Sequence, residues 1–293
     1  MTTSNLENDV PPVAAELREL SEGIFGGIER IREPIPTSEL TELVSLHEGA
    51  VITVADSIAS AMDTVSSSAQ TLAFLLENQS ATAYEPVHAG LMRQMLVGAF
   101  TVCYVLGPAD VETRETRART LVAAEYASLS RAAIKVKQSK SAEYRGTRED
   151  AEIWLADIEA DRKKFNIPRN ADNKTGTITE KGSEEFVNLL VGAFRKREDV
   201  SEQDLERLRV NIPDTAAWAW QITSGFAHAY DWPYRVTGEE DVPRFLTQLV
   251  LGIQMASMLS GISALVSREN FHGFHSVMMG EGEAPGVDED VEA

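Results

Sequence analysis

A chain of 293 residues, 43% hydrophobic and 25% charged, carries enough apolar material for one sizeable core. Its formal net charge of −19 repels phosphate backbones and anionic lipid, which argues against a general nucleic-acid binder. A single cysteine, Cys103, rules out an internal disulfide and a cysteine-based zinc site, and fits a reducing, cytoplasmic setting.

The first residues show no basic start followed by an apolar run, so no secretory leader is expected, and 1–11 read as disordered. A helix is expected near 12–32, weakened by Gly23, Gly26 and Gly27 and stopped by Pro34 and Pro36. Over 38–79, apolar side chains from Leu40 through Val44, Val51, Val54 and Ile58 to Leu76 recur at steps of three and four. That spacing predicts one long helix of about 60 Å with a single apolar seam, opened by a Thr37 or Ser38 cap. Residues 86–106 are apolar on nearly every face, as in a central helix covered all round, and Gly107-Pro108 ends it. Asp110 then caps a charged helix to about 138, whose core face reads Leu121, Glu125, Leu129, Ala132 and Val136.

Thr147-x-x-Asp150 has the spacing of a capping box for a helix reaching Phe165. The polar, turn-rich stretch 166–182 reads as the one long loop, or a short hairpin. Ser183, Ser201 and Pro213-Asp214 each mark a helix start. A last long helix covers about 240–270, containing 23 uncharged residues between Arg244 and Arg268. That length would span a bilayer. Its glutamines, serines and threonine, with no basic flank cluster, favour a buried core helix and no membrane. The tail 280–293 holds six acids and no base, and reads as a solvated, disordered end or a lure for a basic protein partner. Residues 131–174 carry a slight excess of base, the one place where an anion would be welcome. The expected architecture is an all-α multi-helix bundle, a single domain over 12–279, assembling as a homodimer through a long helix.

No phosphate-binding loop, dinucleotide fingerprint, nucleophile elbow or zincin motif occurs, so neither cofactor nor metal is expected. "HEGAVITVAD" at 47–56 places a His and acids at helical spacing, but no second His joins them. Three candidates for chemistry remain. Ser224 and His228 lie one turn apart on one face, beside Asp231 and Trp232. A Ser–His pair activates a nucleophile only if a third group orients the ring, and otherwise makes a structural hydrogen bond. Arg93 sits inside an apolar helix and needs a partner. Glu125, which interrupts the apolar stripe of the next helix, is the expected one. The alternative is an anion pocket at Arg93, Arg114 or Arg117, with Glu125 and Trp232 nearby.

Two stretches carry a resemblance. "HAGLMRQMLVGAFTVCYVLGPADVETRETRAR", with His88, Arg93, Pro108, Arg114 and Arg117, is similar to a segment of uncharacterised all-helical actinobacterial proteins. "SGFAHAYDW", with Ser224, His228 and Trp232, resembles their second motif. Such proteins look distantly HEPN-like, and some HEPN domains are RNases of toxin or anti-phage systems. The resemblance would make Arg93, Ser224 and His228 a metal-independent RNase site, with His228 acting on the ribose 2′-hydroxyl and RNA as partner. The sequence departs from that pattern: Ile222 and Thr223 stand where HEPN nucleases place an arginine and a polar residue, and Val97 stands where an acid often follows. The residues themselves favour an interaction or regulatory protein without catalysis.

Overall fold

The computed structural model describes residues 6–34, 39–78, 86–140, 145–169, 174–195 and 201–227. Among them the fold is all-α, with α1 at Leu6–Arg32, α2 at Glu39–Val44, α3 at Val54–Asn78 and α4 at Pro86–Leu106. They are followed by α5 at Val111–Lys137, α6 at Arg145–Phe165, α7 at Lys174–Arg195 and α8 at Glu202–Ala227. The expected helix at 240–270, its small-residue stripe and the acidic tail lie outside the described residues.

The first helix starts at Leu6 rather than near residue 12. It buries Ala14, Leu17, Ser21, Ile24, Ile28 and Ile31 at steps of three and four, which is the apolar stripe of a surface helix. That stripe lies antiparallel along α3: Arg18 pairs with Glu77, and the Ser21 and Ser66 hydroxyls meet at 2.7 Å. Each hydroxyl also lies within reach of the other serine's backbone carbonyl, at 3.0 and 3.1 Å, so the two protons have acceptors where the helices touch.

The single rod expected over 38–79 is broken. His47 and Gly49 adopt left-handed backbone conformations, φ 66° and 77°, and residues 45–53 form a compact turn between α2 and α3. The apolar seam survives the break, because Leu40, Val44, Val54, Ile58, Val65 and Leu72 are all buried; Val51, at the turn, is 48% exposed. Thr53 restarts the helix: its hydroxyl accepts from the Asp56 backbone N–H at 3.0 Å and donates to the Asp56 carboxylate at 2.7 Å. The turn is fastened from outside. Asp161 of α6 accepts from the Val51 N–H at 2.7 Å and the Tyr126 hydroxyl at 2.6 Å. The Tyr126 oxygen in turn accepts from the Ile52 N–H at 3.2 Å.

The all-round apolar helix is α4, packed on α3, α5, α7 and α8. Among the described residues it is the one helix long and apolar enough to cross a membrane, and 67% of its apolar window is buried inside the protein. Two crossings explain its glycine contacts. A Cβ on Gly98 would stand 2.6 Å from the Ala61 carbonyl oxygen of α3. A Cβ on Gly182 of α7 would collide with the Phe100 carbonyl of α4. Hydrogen at these two positions is what lets three backbones approach so closely.

Asp110 caps α5 as expected, accepting from the Thr113 N–H at 2.7 Å. Of the expected α5 stripe, Leu121 is buried and Leu129 packs on the core, and the core face extends to the residues beside it. Ala118, Val122 and Tyr126 are buried, whereas Ala132 is exposed. The next helix, α6, opens at Arg145, two residues before the expected capping box, and ends where Asn166 turns left-handed (φ 55°) and Ile167 N–H bonds the Arg162 carbonyl at 3.0 Å. The long loop expected at 166–182 is much shorter, because α7 begins at Lys174. Consequently Ser183 is no cap; its hydroxyl donates back to the Glu180 carbonyl within α7, at 2.6 Å. Ser201 does stand at a helix start, but α8 continues through Pro213-Asp214 instead of opening there. The proline removes one backbone bond without ending the helix.

Candidate functional site

The helices α4, α7 and α8 enclose a cleft of about 910 Å³, the size of a small-molecule site. Its walls combine Val97 and Phe100 of α4, Thr179, Ser183 and Val187 of α7, and Ala217, Trp220 and Gln221 of α8. Arg93 lies in this cleft with its guanidinium carbon 4.9 Å from the Trp220 ring centre, a cation–π stack. Its Nε is buried and has no hydrogen-bond partner. Among the described residues no carboxylate comes within 4.0 Å of the guanidinium; Glu180 and Glu184 line the same cleft but are exposed.

The expected Arg93–Glu125 pair does not form. Glu125 sits on α5 against the first turn of α3, where burial first, and the nearby Asp56 carboxylate second, push its carboxyl pKa up. The Ser57 hydroxyl faces it and opposes that shift without completing a hydrogen bond. The reason is rotational: α4 turns Arg93 toward α8, while α5 turns Glu125 toward α3.

Arg114 and Arg117 are occupied by the fold. Arg114 is 2% exposed; it donates to the Pro108 and Ala109 carbonyls at 3.0 and 3.2 Å and to Glu39 at 2.8 Å, pinning α2 to the α4–α5 turn. Arg117 pairs with Glu185 at 2.9 Å, donates to the Tyr104 carbonyl at 3.1 Å and stacks on the Tyr104 ring at 5.1 Å. A smaller cavity of about 330 Å³ beside Arg117 shares Asn188 with the main cleft. Its cation is already neutralised by Glu185.

Ser224 is half-buried on α8, one turn beyond Trp220, and does not line the cleft. His228 and Trp232 lie outside the described residues. His88 is buried in α4, about 140° round the helix from Arg93, and does not line the cleft. His47 is buried edge-on against Phe165, ring centres 5.4 Å apart. Burial first, then Arg119, lowers its pKa, and Asp161 works against them.

Two parts of this geometry escaped sequence reasoning. The first part of the α7 wall, Gly176 to Glu180, was hidden because turn-forming residues mask the start of that helix. Tyr126 and Asp161 gave a usable signal, since each puts a polar group at a helical position otherwise facing the core. No protein-family model matches the chain, and neither a curated protein nor a solved structure does.

Proposed function

We propose that this is a helical binding protein of regulatory or interaction type, not a catalyst, and that the cleft between α4, α7 and α8 is its binding site. The observation that carries this reading is Arg93: a cation stacked on Trp220 in a cleft of ligand size, with no counter-ion among the described residues. The described lining contains no histidine and no cysteine, and Ser183 spends its proton on its own helix. A lining of this kind offers recognition without a nucleophile–base pair. Cys103 is fully buried with its thiol pushed up to about 12, first by burial and then by Glu185, so it offers the cleft no thiolate nucleophile. The test is a fragment set screened by ligand-observed NMR against the full chain and against Ser183→Trp, which fills the cleft. A subset of binders lost in the variant is expected; an unchanged set, or none at all, would overturn the reading.

A second reading, a HEPN-like metal-independent RNase, is favoured by one observation. Arg93 stacks on Trp220, one helical turn from Ser224 on α8. Expression of wild type beside His228→Ala discriminates: toxicity relieved only by the variant supports the RNase, and equal growth supports binding.

A further inference from the structure

Resting on the binding reading above, we infer that the cleft takes a small organic monoanion with a flat apolar body, its carboxylate or sulfonate received by Arg93. The charge follows from the guanidinium. One donor, Nε, is already buried without a partner, and no carboxylate lies within ion-pair reach among the described residues. A half-buried cation in that condition gains more from an incoming anion than a solvated surface arginine does. The body follows from what surrounds it: the Trp220 indole on one side, Val97 and Val187 on others. These apolar walls reward a planar hydrocarbon.

The limit to one negative charge comes from Glu180 and Glu184. They are one turn apart on α7, exposed at the cleft. A ligand carrying two or more charges meets one arginine and two carboxylates, on a protein whose net charge is −19. Nucleotides and nucleic acid are therefore disfavoured at this rim, and inorganic phosphate, having no apolar body, gains nothing from the walls.

The experiment uses three probes that share one naphthalene body, 2-naphthoate, 2-naphthamide and naphthalen-2-ylmethylammonium, titrated calorimetrically into the full chain at low salt. Naphthoate should bind about tenfold or more tighter than the other two, one factor of ten being about 1.4 kcal/mol. Arg93→Gln should erase that preference while leaving 2-naphthamide affinity within about twofold. Should Arg93→Gln fail to fold, Glu180→Gln serves instead and should tighten naphthoate about two- to threefold, by removing a like charge at the rim. Inorganic phosphate at equal ionic strength should not compete. If the ammonium binds as tightly as the carboxylate, or phosphate displaces it, the monoanion assignment is overturned although a ligand cleft remains. If no probe binding is lost on Ser183→Trp, the cleft reading itself fails.

Discussion

Glu125 shows what a charge inside an apolar stripe does when no base reaches it. Burial disfavours its ionised form, and Asp56 adds like charge, so the folded-state pKa is raised above the unfolded value. A raised carboxyl pKa means that the stabilisation is complete at pH values below the unfolded pKa and is lost as pH rises through the folded one. Glu125→Gln removes that ionisation cost. Its melting temperature should exceed wild type at pH 8, and the advantage should vanish toward pH 4; lower stability at pH 8 would mean that Glu125 has a cationic partner. His47 has the opposite sign. Its lowered pKa gives stability present above about pH 6.5 and lost as pH falls through the folded value. Both residues are legible in the sequence as polar interruptions of apolar faces. Their partners are not, because a contact depends on how each helix is rotated about its axis, and a shift of one residue turns a side chain by about 100°.

At the level of elements, sequence pattern located α4 and α5 closely and started α7 at Ser183, missing its first nine residues for a definable reason. Capping and stop signals at Asp110 and Gly107-Pro108 are local and act where they are written. The glycines of 174–182 belong to the same vocabulary as turns, yet Gly182 is a contact surface rather than a flexible joint. A methyl group there meets the Phe100 carbonyl of α4, which is backbone and has nowhere to retreat. Gly182→Ala is therefore expected to destabilise by about 1–3 kcal/mol despite the better helix propensity of alanine. Gly176→Ala, with no atom within 4 Å of the added methyl, should be neutral or stabilising. Urea titrations of the two variants should move the midpoints in opposite directions or leave only Gly182→Ala displaced. The broken 38–79 helix teaches the converse lesson: the seam is continuous in sequence because both α2 and α3 face one core. The break at His47 and Gly49 is held by tertiary bonds from Tyr126 and Asp161, which no local pattern encodes.

For the whole molecule, helical period alone was sufficient to fix an all-α bundle with a buried central helix. The cleft was not legible, since it joins residues of α4, α7 and α8 that are up to 128 positions apart, from Arg93 to Gln221. The two glycine crossings have a consequence for how the bundle opens. With α3 against Gly98 and α7 against the Phe100 carbonyl, the middle of α4 cannot loosen unless both neighbours leave. By contrast α6 leans chiefly on α5 and shows Ile153 and Trp154 to solvent, 59% and 41% exposed. Amide deuteration should follow that asymmetry. Protons of residues 95–103 should exchange last, with the denaturant slope of complete unfolding, while those of α6 exchange through a smaller, cheaper opening. Equal protection across the two would mean that the bundle breathes as one cooperative block.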